Sequence, residues 1–338
     1  QQWGPYVKIG IVRDEREANA RVREHQTGNP REVVSIHEFK APMVEALETQ
    51  LHHRFAEYWT SGEWFFMDHS FVNEVLVPEI NVLVAEQNQV FDSFVERARI
   101  KSIESNGITR SPSDLELRDF EALKHAEEAY ALAKLDRDIS DLRLRNLVGQ
   151  SGGLDGVLTL VSRRISPSFD KALFREAHPE LWDSYQTTTV TKPKGPLRFS
   201  SRVSLTKLVP EKVALKKSLT ASGTTFTAGQ TSNAVLTRTD DMVVLHDQFV
   251  RSLGHLARAE WLVERSKAAF ASRLGTDEAI DGICTWKRAP VTKTDFDEKS
   301  FRNDHPEHHA QFLRAPSSAV SVKINFHRPY AHNKRPEI

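Results

Sequence analysis

Phe169-Asp170-Lys171-Ala172-Leu173-Phe174-Arg175-Glu176-Ala177-His178-Pro179-Glu180 returns later in the chain as Phe296-Asp297-Glu298-Lys299-Ser300-Phe301-Arg302-Asn303-Asp304-His305-Pro306-Glu307. The two agree at every fixed position of F-D-x-x-x-F-R-x-x-H-P-E. Upstream, Asp155-Gly156-Val157-Leu158-Thr159 has its counterpart in Asp281-Gly282-Ile283-Cys284-Thr285. Still further upstream, apolar residues recur at helical spacing over 114–148 and again over 240–274, each run long enough for a helix of about 50 Å. Such self-similarity marks a duplicated module. Its expected order is long helix, strand, short helix and strand, with closing strands at 196–203 and 320–326.

The chain before the repeat is organised differently. Tyr6-Val7-Lys8-Ile9-Gly10-Ile11-Val12 alternates and is β-branched, which predicts a strand. A charged helix is expected over 15–25, a turn at Thr27-Gly28-Asn29-Pro30, and a second strand over 32–39. Pro42 suits the first turn of a helix over 42–58, and Glu63-Trp64-Phe65-Phe66-Met67 reads as a third strand. Helical spacing over 70–103 is expected to break at Pro78. The predicted class is α+β: a small mixed α/β domain at 1–68, a helical connector at 69–113, copy one at 114–205, a basic linker at 206–238, copy two at 239–326, and a tail at 327–338.

Composition narrows the functional classes. The 338 residues carry 46 basic and 46 acidic side chains, which argues against a globally basic coat protein or a polybasic membrane binder. No apolar run approaches the ~20 residues of a bilayer span, so no membrane partner is expected. The single cysteine, Cys284, cannot close an internal disulfide, and a reducing, cytoplasmic setting is expected. Positive charge is local instead: residues 181–230 hold eight Lys/Arg against two acids, whereas residues 1–67 hold eight against ten. Lys192, Lys194, Arg198, Arg202, Lys216 and Lys217 are therefore candidate contacts to nucleic acid, with Ser and Thr between them as further donors. His305, His308 and His309 crowd one turn, but His305 has a twin in His178, so a structural role is expected rather than a zinc site. The long helices could also seat a homo-oligomer.

The N-terminal segment resembles the GIY-YIG endonuclease family in its phage and mobile-element branch. Four blocks in order carry the resemblance: Tyr6-Val7-Lys8-Ile9-Gly10-Ile11; Arg21 leading to Gln26-Thr27-Gly28-Asn29-Pro30; Ala46-Leu47-Glu48 with Leu51-His52 and Phe55; and Gly62-Glu63-Trp64-Phe65. The resemblance implies metal-dependent cleavage of nucleic-acid phosphodiesters, with DNA the expected substrate. It places Tyr6 beside the attacking water, Arg21 at the scissile phosphate and Glu48 on Mg²⁺ or Mn²⁺. His52, one turn after Glu48, could touch the metal or orient Glu48, and His25, one turn after Arg21, could reach a phosphate. An arginine fork and a divalent ion are what a phosphorane-like transition state calls for. In that family a strand with its own tyrosine precedes the strand of Tyr6; here Gln1 to Pro5 precede it. The alternative expectation is thus a catalytically incomplete nucleic-acid-binding or scaffold protein. The second copy of the repeat resembles the tail module of lambda-exonuclease-like (YqaJ) viral nucleases through Thr285-Trp286-Lys287, the segment Phe296 to Glu307, and Val320-Ser321-Val322-Lys323-Ile324. No catalytic carboxylate is implied there. A phage, defence or mobile-element setting follows by analogy.

Overall fold

The computed structural model describes residues 5–12, 18–27, 32–223, 234–315 and 317–328. The architecture is mixed α+β. The N-terminal domain is a three-stranded antiparallel sheet with helices against it. Its elements are β1 (Tyr6–Lys8), α1 (Ala18–Gln26), α2 (Val44–Arg54), β2 (Trp59–Ser61) and β3 (Trp64–Phe66), with strand order β1-β3-β2. Val7, Ile9, Leu47, Leu51, Phe55, Phe65 and Met67 form its core. The segment expected as a second strand, 32–39, joins no ladder. Its apolar residues serve packing instead: Ile36 and Phe39 lean on the core while Val34 is exposed. Pro78 likewise does not break a helix. It occupies the first turn of the connector helix Val77–Ile100, and a π-helical turn at Val72–Leu76 precedes it. The looser turn accommodates the ring and the missing N–H that would distort an α-helical interior.

Both long helices form, Asp114–Val148 and Asp240–Leu274. The first begins at a capping box, Ser113 with Glu116. Both end at a glycine of positive φ, Gly149 (55°) and Gly275 (58°), where a side chain would be strained. They pack on each other antiparallel, with Phe120 meeting Phe270 edge-on and Asp119 paired to Arg273 at 2.6 Å. Each long helix also carries one shorter helix. The connector helix lies on the second through Arg97–Glu264, Arg258–Glu86 and stacked Phe94–Trp261. Pro210–Ala221, part of the segment expected as a linker, is a helix lying on the first through Lys212–Asp136 and Lys216–Asp138. Glu264 and Asp138 occupy the same place in the two long helices, so the duplicated unit starts one helix earlier than the sequence motif indicates.

The sheets are exchanged between copies. Leu158–Ile165 of copy one pairs with Ser317–Ile324 of copy two, from Leu158↔Ile324 to Ile165↔Ser317. Reciprocally, Cys284–Thr285 pairs with Arg198–Phe199, and Thr292–Phe296 with Gln186–Val190. The short strands ahead of the long helices cross over too: Thr109–Arg110 joins Ala279–Ile280, and Val235–Leu236 joins Gly153–Leu154. The two ribbons meet at an aromatic seam. There Phe169 stacks on Phe296 at 5.9 Å and Phe174 meets Phe301 at 4.6 Å. Trp182 stacks on Phe296 at 4.5 Å, and its counterpart His309 stacks on Phe169 at 4.7 Å. The rest of the motif is local: Asp170 and Asp297 cap their helices by accepting from the Leu173 and Ser300 N–H groups, and each Pro sits in a first turn. Among the described residues no helix is long and apolar enough to cross a membrane.

Glu116 joins these parts at one end of the helix pair. Its buried carboxylate takes a bidentate pair from Arg110, at 2.6 and 2.9 Å, and Arg110 also reaches the Arg273 carbonyl at 3.3 Å. These donors, Arg110 first, hold the carboxyl at about 2, far below its ordinary 4.5. A depressed carboxylate stabilises the fold fully above the unfolded value and loses that contribution as pH falls through the folded one. Thermal melts should therefore show stability decreasing from pH 4.5 toward 2, and Glu116→Gln should be less stable at pH 7 yet flatter across that window.

Candidate functional site

Strand alternation puts Tyr6 and Lys8 on one face of β1, opposite buried Val7. Tyr6 pairs across the sheet with Phe66, and their rings meet edge-on at 5.6 Å. Lys8 forms an ion pair with Glu63, from the turn before β3. Past the strand, Ile9-Gly10-Ile11 runs against α2, whose Leu47 and Leu51 are buried in the core. The next helical face holds Glu48 and His52, one turn apart. Glu48 is half-buried, with the Ile11 backbone N–H near its carboxylate. Burial raises its carboxyl above the ordinary value; the Glu63 carboxylate adds to this, while His52, the Ile11 N–H and Lys8 oppose it. Lys8, Glu48 and Glu63 thereby lie together, and Tyr6 stands on the same strand face as Lys8.

His52, one turn after Glu48 on α2, holds the loop that follows β1. Its Nε2 lies 2.9 Å from the Ile9 carbonyl oxygen. A carbonyl only accepts, so Nε2 carries the hydrogen and donates. That nitrogen is then committed to holding the loop after β1, with the ring edge-on to Phe65, while Nδ1 keeps its lone pair. Arg21 lies on α1, but its side chain falls outside the described residues. His25 is half-buried in the last turn of that helix. Gln26, one residue later, ties α1 to the following segment by accepting from Val33 N–H at 2.8 Å.

No group of three or more His, Cys, Asp or Glu that could hold a metal occurs among the described residues. The carboxylate available to a hard cation is Glu48, with Glu63 as its neighbour. That fits Mg²⁺, which keeps several waters and is held by one or two carboxylates with substrate phosphates, better than a dedicated protein cage. His305, His308 and His309 serve the aromatic seam instead, with His309 8% exposed and 3.3 Å from Glu298. Cys284 is buried, and burial pushes its thiol up to about 11, leaving it inert.

The opposite face of α2 meets the arm. Gln50, His53, Arg54 and Glu57 face Arg251 and His255 of the second long helix across a cleft of about 570 Å³. The segment after the closing strand seals one side: His327 stacks on Trp59 at 4.1 Å, and Arg328 bridges Glu57 and Asp247. Of the expected nucleic-acid contacts, Lys192, Lys194, Arg198, Arg202 and Lys217 are exposed. Lys216 is not free, being paired to Asp138 at 2.7 Å. Sequence reading missed the charged partners Lys8 and Glu63; the spacing of Tyr6 and Lys8 along one strand face was the available signal. Comparison with family models, with curated proteins and with solved structures gives no match to this chain.

The Glu48–Glu63 neighbourhood has a direct test. Glu63→Gln removes a repelling carboxylate and frees Lys8, and both effects favour ionised Glu48. Carboxyl-carbon NMR of selectively labelled protein should show the Glu48 midpoint moving to lower pH. An unmoved midpoint would show that Glu63 does not face it.

Proposed function

We propose that this chain is a metal-dependent endonuclease that hydrolyses nucleic-acid phosphodiester bonds, DNA in the first instance, in the manner of GIY-YIG enzymes. The observation supporting this most is the position of Glu48: a half-buried carboxylate beside Lys8 and Glu63, with Tyr6 on the strand face that also carries Lys8. In this reading Glu48 holds Mg²⁺ or Mn²⁺, which when bound supplies a Lewis acid for the phosphoryl oxygens. Arg21, on the helix that follows β1, places its planar fork on the scissile phosphate. Tyr6 orients the attacking water, with Lys8 as the nearest cation on its strand face. His52 keeps the loop between β1 and α1 against α2, and so keeps Glu48 at its place. A charge-neutral chain needs a separate surface for the phosphate backbone, and the exposed cations of the repeat are available for it.

Incubation of the full chain with plasmid, linear and single-stranded substrates should give cleavage with Mg²⁺ and none with EDTA. Glu48→Gln keeps the side chain's size and removes its charge, so cleavage should drop by several orders of magnitude while substrate binding persists. Wild-type cleavage by that variant would exclude Glu48 as the metal ligand. Arg21→Lys keeps a cation but loses the fork, and a fall of at least about tenfold is expected, the equivalent of one charge-assisted contact. Binding without any cleavage in Mg²⁺ would favour the scaffold reading.

A further inference from the structure

The exchanged ribbons present two related sets of cations. In the first, the register sets Thr159 opposite Lys323, Val161 opposite Ser321 and Arg163 opposite Ala319. These positions form one face of the ribbon; Leu158, Leu160, Val322 and Ile324 form the other and pack on the core at one end of the helix pair. In the second, Thr285 lies opposite Arg198 and Ala289 opposite Lys194, with Lys287 between Thr285 and Ala289 on the same face. The intervening Trp286 and Arg288 turn inward, at 3% and 0% exposure.

The two faces share part of their pattern. The pair next to each hairpin is a threonine opposite a cation, Thr159 with Lys323 and Thr285 with Arg198. Farther along, each ribbon again carries one cation, on Arg163 in the first and on Lys194 in the second, although it has moved to the other strand. The remaining residues differ almost throughout, with Leu160-Val161-Ser162 standing where Trp286-Lys287-Arg288 stands. Arg163, Lys323, Lys194, Arg198 and Lys287 are all exposed, and none forms an ion pair with a described carboxylate. Elsewhere in the arm Arg97, Arg110, Lys212, Lys216, Arg258 and Arg273 face acids, while Arg118, Lys134, Lys217 and Arg251 on its helices are exposed like the ribbon cations.

We propose that the two ribbons form one surface that holds the backbones of duplex nucleic acid, each ribbon on its own stretch of the duplex. The chemistry is that of phosphate recognition: unpaired Arg and Lys, with Thr159 and Thr285 as neutral donors. The duplex follows from symmetry. The repeat gives the surface a pseudo-twofold axis at the aromatic seam, and duplex backbones are related by local twofold axes, whereas a single strand has none. At ~3.3 Å per residue, the path from Arg163 to the seam and on to Ala289, opposite Lys194, is at most about 45 Å. A duplex of roughly 13 base pairs spans that distance at ~3.4 Å per pair. This inference rests on the nucleic-acid part of the proposed function and not on cleavage.

The test is binding of the full chain in EDTA to labelled 10-base-pair and 24-base-pair duplexes and to the matching single strand, across a salt series. Three variants are compared: Arg163→Gln with Lys323→Gln; Lys194→Gln with Arg198→Gln and Lys287→Gln; and all five together. Each phosphate contact contributes about −0.9 to the slope of log affinity against log salt on duplex. The first variant should flatten the slope by about two units and the second by about three. Each should weaken 24-base-pair binding at low salt by tenfold or more, with circular dichroism unchanged. Wild type should bind the longer duplex more tightly than the shorter one, and the single strand more weakly than either. An unchanged slope in the fivefold variant, or equal affinity for single strand and 24-base-pair duplex, would overturn the proposal. Duplex binding of the expected form without Mg²⁺-dependent cleavage would leave it standing and remove the endonuclease reading alone.

Discussion

Neither hairpin of the repeat is completed by its own copy, and the rest of the arm depends on that exchange. Leu158–Ile165 would be an open edge without Ser317–Ile324, and Cys284–Thr285 would be one without Arg198–Phe199. Such edges are a liability for a soluble chain. The exchange places each hairpin at an opposite end of the antiparallel helix pair and brings the four motif phenylalanines together at the centre. The seam thus joins two halves whose individual cores are small: one around Ile100, Leu123 and Trp286, the other around Leu144, Leu154 and Phe249. Backbone bonds enforce the same joining, since the Asp170 N–H donates to the Phe312 carbonyl and the Asp297 N–H to that of Tyr185.

The N-terminal domain is fitted onto this frame through α2, which serves three surfaces within eleven residues. Leu47 and Leu51 enter the domain core. Glu48 and His52 meet the loop after β1. His53 and Arg54 face the second long helix across the cleft. A tilt of this one helix would change the candidate metal ligand and the domain junction together, giving the arm a physical route to the site. Arg328, 7% exposed and held between Glu57 and Asp247, limits such a tilt.

Much of this was legible in the sequence where local chemistry decides the outcome. The limits of the long helices follow from Ser113 with Glu116 and from the glycines at 149 and 275. The motif's Asp and Pro positions match helix starts that recur in both copies. The exchange was not legible, because Phe169 and Phe174 would satisfy the same pattern by packing within their own copy. The helix Pro210–Ala221 was obscured by its lysines: Val213, Leu215 and Leu219 carry helical spacing, but charge and flanking Ser and Thr resemble a solvated linker. At the candidate site the block at 46–52 put Glu48 and His52 on neighbouring turns of one helix, but the backbone carbonyl that His52 meets leaves no mark on side-chain pattern. Glu63 was taken for part of a core strand, although Lys8 across from it supplied a reason for its charge.

The exchanged register also sets an order on biosynthesis. Leu158 finds its partner in Ile324, so the first sheet stays unfinished until nearly the whole repeat has left the ribosome, and pairings so distant in sequence close slowly. The N-terminal domain, by contrast, draws its own three strands from residues before 67 and can assemble early. Two of its anchors, His327 and Arg328, follow the closing strand, so part of its attachment to the arm waits until that strand has been made.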